Sequence, residues 1–187
     1  MSVGSRLVVL ASGEGTVLQA LLDSPMHRRI VAIGSDVPGC RALQRAADSG
    51  IPGFCVDPAA FTRRTDWDGA LQAQLEELDP AWIALAGFMR ILGPSLVQAF
   101  ANRIVNVHPS LLPAFPGAHA VRDALEAGVK VTGCTVHFVD EGIDTGPIIA
   151  QRAVQVEPGD DVESLHARIK VVERQLLISV LSELTDR

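Results

Sequence analysis

Leu7-Val8-Val9-Leu10-Ala11-Ser12-Gly13-Glu14-Gly15-Thr16 sets an apolar run directly against a glycine-rich turn. Consecutive Val and Leu residues read as a short strand buried on both faces, the kind found in parallel sheets covered by helices. The turn then leads into a helix over about residues 17–23. Outward from this unit the strand signal recurs at residues 30–34, 53–56, 82–86 and 104–107. Helical stretches at 41–49, 67–78 and near 95–101 separate these strands, and Gly50 and Pro52 stop the second helix. The alternation predicts an α/β fold that is Rossmann-like, doubly wound and built on a mostly parallel sheet.

The pattern changes after a helix near residues 121–127. Apolar runs at 131–139 and 148–156 stand too close together for a crossover helix, so they predict an antiparallel C-terminal strand pair. A long C-terminal helix over 162–184 follows, with Asp160 or Asp161 as its N-cap. Without repeat, linker or low-complexity tract, residues 1–187 are expected to form a single domain.

Composition narrows the function classes. Hydrophobic residues at 48% against 20% charged describe a folded protein rather than a disordered one. A formal charge of −6, with no long run of either sign, argues against a nucleic-acid-coating role. The apolar run from Leu7 to Ala11 is too short and wrongly flanked for a signal peptide, and no stretch approaches membrane-spanning length. Cys40, Cys55 and Cys134 lack CxxC spacing and read as small buried hydrophobes in a reducing compartment. A cytoplasmic protein with no membrane partner is the expectation.

Chemistry concentrates at Asn106-Val107-His108-Pro109-Ser110-Leu111-Leu112-Pro113. Residues i and i+2 of a strand share a face, so the Asn106 amide and His108 imidazole emerge together. Pro109 and Pro113 cannot continue a central ladder, so the chain leaves the sheet there. Farther on, Asp140-Glu141-Gly142-Ile143-Asp144-Thr145-Gly146-Pro147 sets carboxylates in a turn, and the need of His108 for a partner favours Asp144 over Asp140 and Glu141. Amide, imidazole and carboxylate together can stabilise an oxyanion and move a proton.

Two further segments admit two readings each. Gly13 and Gly15 either make an ordinary tight turn or let the backbone cradle a single phosphate, since neither a P-loop nor GxGxxG is present. Gly87-Phe88-Met89-Arg90-Ile91-Leu92 is either a hydrophobic connection or one wall of a slot for a flat heterocycle. His137, inside a strand, reads as a hydrogen-bonded core residue, and His119 either faces the site or caps the following helix. No spacing suggests a metal site, and no metal is expected. Loops after the first, fourth and fifth strands should open on one edge of the sheet, where ligands bind.

These segments closely resemble the folate-dependent formyltransferases, in particular the branch that acts on phosphoribosylglycinamide. The resemblance covers about residues 7–181 and is carried by N-x-H-P-S-L-L-P, A-G-F-M-R-I-L, S-G-x-G and D-x-G-P after a Val-His-Phe strand. It implies that Asn106, His108 and Asp144 are the catalytic trio. It implies a folate wall of Met89, Arg90, Ile91 and Leu92, a pterin loop of Asp140, Glu141, Gly142, Ile143 and Asp144, and Arg64 near the folate tail. For the ribonucleotide it implies Gly13, Gly15, Thr16 and Val17 at the phosphate, with Pro109 and Glu173 in contact.

The implied reaction is formyl transfer from 10-formyltetrahydrofolate, a cosubstrate, to the acceptor amine, a step of purine biosynthesis. The implied partners are these small molecules, with no nucleic acid, and a homodimer is compatible with the chain. Val17 departs from the family, which often has Asn there, and the chain stops at Arg187 where many relatives run on. Formyltetrahydrofolate hydrolases and methionyl-tRNA formyltransferases share the trio but usually carry a further domain for which this chain has no room. A nonenzymatic nucleotide-binding module would use the glycine loop and leave the trio idle.

Overall fold

The computed structural model describes residues 6–186; residues 1–5, in the segment read as no signal peptide, and Arg187 lie outside the described residues. Seven strands form one sheet in the order β3-β2-β1-β4-β5-β6-β7. These are β1 (Leu7–Leu10), β2 (Ile30–Ser35), β3 (Gly53–Cys55), β4 (Trp82–Leu85), β5 (Ile104–His108), β6 (Val131–Phe138) and β7 (Ile148–Gln155). β1 to β5 pair in parallel. β6 runs antiparallel to β7, as the short connection requires, and also antiparallel to β5. The order reverses between β1 and β4, and in such sheets that point opens a crevice at the carboxyl ends.

The helices are α1 (Thr16–Leu22), α2 (Arg41–Asp48), α3 (Arg64–Leu78), α4 (Pro94–Ala99), α5 (Ala120–Glu126) and α6 (Val162–Thr185). Two short 3₁₀ turns, Pro25–Arg29 and Pro58–Ala60, lie between the expected elements. Alternation along β1 divides the core. Leu7 and Val9 pack with Leu18, Ala42, Val121 and the apolar stripe of α6, while Val8 and Leu10 pack with Trp67, Leu71 and Leu96 of α3 and α4. Helices therefore cover both faces of the central strands β1, β2 and β4, which are almost wholly apolar and buried, whereas the edge strands β3 and β7 are largely exposed.

α3 starts at Arg64, three residues before the sequence reading placed it. Its first turn is polar and so lacks the apolar period, but it is held by the Arg63–Asp66 and Arg64–Asp68 pairs. Asp161, not Asp160, caps α6: its carboxylate accepts the Ser164 N–H at 2.8 Å, and the Ser164 hydroxyl returns to the Asp161 N–H at 3.1 Å. Asp160 instead pairs with Arg168. Cys134 is buried, whereas Cys40 is half-buried and Cys55 exposed, so the buried-hydrophobe expectation fits Cys134 alone. No described helix is long and apolar enough to cross a membrane.

Candidate active site

β5 ends in Asn106 and His108, which share a face with Ile104 by strand alternation. Antiparallel pairing sets β6 beside them so that Asn106 lies opposite His137 and His108 opposite Thr135. Directly opposed residues of an antiparallel pair project to the same side. His137, read from sequence as a core histidine, is therefore brought into the catalytic group. Its Nε2 lies 3.2 Å from Asn106 Nδ2 and 3.6 Å from Asp144 Oδ1. The Val-His-Phe strand was the available signal, but the strand opposite His137 is not written in local sequence.

Asp144 arrives from the β6–β7 turn with φ of 55°, in the left-handed region that Asp tolerates better than most side chains. Its Oδ2 accepts the Gly117 N–H at 2.8 Å and lies 3.2 Å from His108 Nδ1. The neighbouring His137 ring is the largest influence holding the Asp144 carboxyl below the usual carboxylate range. The Gly117 N–H and the charge of His108 act in the same direction, and burial opposes them. His108 is 4% exposed, and its Nε2–H donates to the Phe115 carbonyl at 2.8 Å. Both partners of His108 are acceptors, so both ring nitrogens are satisfied together when the ring is an imidazolium.

The loop after β5 is pinned from below. Thr135 Oγ1 donates to the Ser110 carbonyl at 2.7 Å and accepts the Leu112 N–H at 3.0 Å, while Gln151 donates to the Leu112 carbonyl at 2.8 Å. Pro109 lies within this loop, beside His108. His119 occupies the N-cap of α5 but makes no side-chain capping bond, and it is exposed. Thr135, Gly117 and the Phe115 carbonyl all support the trio and were missed, since backbone groups and a lone Thr carry no sequence signature.

The Asp140 turn is held by its own carboxylate, which accepts the Gly142 N–H at 3.0 Å and the Thr145 hydroxyl at 2.7 Å. A Cβ on Gly142 would lie 2.0 Å from that hydroxyl, so the turn needs glycine there. Glu141 accepts from Gln98 at 2.8 Å, and Ile143 is exposed.

The loop after β4 is stitched to the one after β1: the Met89 N–H donates to Ser12 Oγ at 2.8 Å and the Ser12 N–H to the Gly87 carbonyl at 3.1 Å. Met89 and Ile91 are 77% and 60% exposed, apolar surface offered to a ligand, whereas the Leu92 side chain belongs to the core. Arg90 turns to Asp36 at 2.7 Å. Arg64 donates to the Ile91 carbonyl and lies 4.7 Å over the Trp67 ring, so it braces the backbone of the same segment.

Gly15 stands at φ 64° as the N-cap of α1. Its missing Cβ would meet Ala42 at 3.1 Å, and the Ala42 N–H donates to the Gly13 carbonyl at 3.0 Å. The turn is thus packed on α2, with Gly13 and Thr16 exposed and Val17 half-buried. Glu173 is not part of the trio's cluster. It is 5% exposed on α6, beside Cys134, whose side chain leaves β6 on the face opposite to that of Thr135 and His137. Burial pushes the Glu173 carboxyl up to about 7.

A family model described as formyl transferase matches residues 5–181. A Mycobacterium tuberculosis protein named phosphoribosylglycinamide formyltransferase is 52% identical over 186 residues, covering 98% of this chain and 86% of its own length. The Bacillus subtilis protein of the same name is 40% identical, over 96% of this chain and 94% of its own. The crystal structure of glycinamide ribonucleotide transformylase 1 from Symbiobacterium toebii superposes with a TM-score of 0.94 at 44% identity, covering 100% of this chain and 90% of that one. A strand-tip amide and imidazole, a turn carboxylate bonded to that imidazole and a family match across nearly the whole length agree: the chain belongs to the formyltransferase family.

Proposed function

We propose that this chain, as a single domain over residues 1–187, transfers the formyl group of 10-formyltetrahydrofolate to the primary amine of phosphoribosylglycinamide, a step of de novo purine biosynthesis. The observation that carries the chemistry is the convergence of Asn106, His108 and Asp144 at one strand tip. The amine attacks the formyl carbon, a C–N bond forms, and the carbonyl oxygen becomes an oxyanion. Asn106 and protonated His108 donate to that oxygen, each such donor contributing typically about 2.7–4 kcal/mol. In the resting site the Phe115 carbonyl occupies His108 Nε2–H, so the substrate oxygen takes over that bond. Asp144 keeps His108 charged and relays the amine's proton toward the folate nitrogen, whose bond to the formyl carbon then breaks.

The folate lies against Met89, Arg90, Ile91 and Leu92 and the backbone of Asp140, Glu141, Gly142, Ile143 and Asp144, with Arg64 toward its tail. The ribonucleotide phosphate rests on Gly13, Gly15, Thr16 and Val17, with Pro109 and Glu173 in contact. Because Val17 has no polar side chain, that contact comes from the backbone or from another residue. Folate is consumed as a cosubstrate, and the donors named here need no metal. The expected partners are these two small molecules, in the cytoplasm, without nucleic acid or membrane, and a homodimer is compatible with this reading.

The test is to mix purified protein with both substrates and follow formylated ribonucleotide and released tetrahydrofolate. Equal amounts of both are expected, with little folate turnover when the acceptor is omitted. Release of formate at the same rate without acceptor would make the chain a hydrolase and overturn the assignment.

A further inference from the structure

His137 is 2% exposed, and each of its nitrogens has a close neighbour. Nδ1 lies 2.8 Å from the Phe138 carbonyl. A carbonyl only accepts, so Nδ1 carries a proton. In the neutral ring Nε2 is then bare and can only accept. Of its two neighbours, Asn106 Nδ2 at 3.2 Å is within hydrogen-bond reach, while Asp144 Oδ1 at 3.6 Å is beyond it.

We infer that His137 is a positioning residue: its Nδ1–H tautomer, fixed by the Phe138 carbonyl, forces the Asn106 amide to turn its NH2 group, rather than its oxygen, into the site. An amide has two nearly isosteric orientations, and only one makes an oxyanion donor. Nδ2 has two hydrogens, one spent on His137 and one free for the substrate oxygen. Reversal would set the amide oxygen against bare Nε2 and point an acceptor at the developing negative charge. Cross-strand pairing holds both side chains in register, so the choice is built into the β5–β6 ladder.

This inference rests on Asn106 acting as oxyanion donor, and the test separates the two. Nitrogen-15 NMR of the wild-type protein at neutral pH reads the tautomer directly: His137 should give a protonated Nδ1 and an unprotonated Nε2. A protonated Nε2 would overturn the inference. In kinetics, His137→Phe should lower kcat roughly three- to tenfold, the worth of one net hydrogen bond, with both KM values little changed. His137→Gln, whose amide oxygen can still accept from Asn106, should recover most of that loss. Asn106→Ala/His137→Phe should be no slower than Asn106→Ala alone, because His137 acts only through Asn106. Multiplying losses with a slow Asn106→Ala enzyme would sink this inference and leave Asn106 in its role. Wild-type kcat in Asn106→Ala would remove both.

Discussion

Replacing Asp144 by Asn isolates the charge of the trio from its shape. Asn tolerates φ near 55° as readily as Asp, so the turn is not strained, and the Asn oxygen can keep the 2.8 Å bond from the Gly117 N–H. What disappears is the negative charge 3.2 Å from His108 Nδ1. The Asn oxygen that keeps the Gly117 bond also stands beside Nδ1 and can still accept from it, but it carries no charge, so the ring loses what favours its doubly protonated form. Exchanging a hydrogen bond to a charged group for a neutral one forfeits about 1–1.5 kcal/mol, or roughly 5- to 12-fold. Loss of the proton relay adds at least about 10²-fold. Together these predict a fall in kcat of about 10³-fold or more, with circular dichroism unchanged and both KM values within a few-fold. His108→Ala should be at least as slow, and the double variant far less impaired than the product of the single losses. A folded Asp144→Asn protein turning over within tenfold of wild type would refute the reasoning. A large rise in folate KM with kcat preserved would make Asp144 a binding group only.

Gly15→Val should raise the acceptor KM and leave the folate KM in place: a β-branched residue at φ 64° is strained, and its Cβ would lie 3.1 Å from Ala42. Simultaneous loss of both substrates would point to misfolding rather than to a phosphate site. Arg64→Ala should raise the folate KM by a few-fold without touching kcat, by releasing the Ile91 carbonyl and a part-buried pair with Asp68. Steady-state kinetics at varied folate reads this, and a loss confined to kcat would contradict it. Glu173→Gln should alter stability with a defined pH sign. Burial raises the folded carboxyl from 4.5 to about 7, so below 4.5 it is neutral folded and unfolded alike. As pH rises from 4.5 to about 7 the unfolded chain ionises first, and stability falls by an order-of-magnitude 3 kcal/mol. Thermal melts should therefore show the variant more stable than wild type at pH 8 and equal near pH 4; equal melts at both would remove the buried-acid assignment.

Local sequence determined whatever depends on period and on turn chemistry. The apolar runs at 7–11 and 82–86 read as short strands, the first as one buried on both faces. Asn106 and His108 had to emerge together because a strand repeats every two residues. The loops after the first, fourth and fifth strands had to share an edge because parallel strands end on the same side. Tertiary structure decided everything that depends on which strand lies beside which. Antiparallel pairing of β6 with β5 set His137 opposite Asn106, converting an expected core histidine into a neighbour of the amide. Folding back of the β6–β7 turn put Asp144 on His108, where sequence could only rank it above Asp140 and Glu141. Within the Met89–Leu92 segment, packing separated exposed Met89 and Ile91 from buried Leu92, although all are apolar. Arg64 joined that segment because a polar first helical turn, invisible to hydrophobic periodicity, is stabilised by ion pairs. The division has one physical cause: dihedral preferences and burial period act between residues a few positions apart, while strand partners and loop contacts are settled by the free energy of the whole packed core.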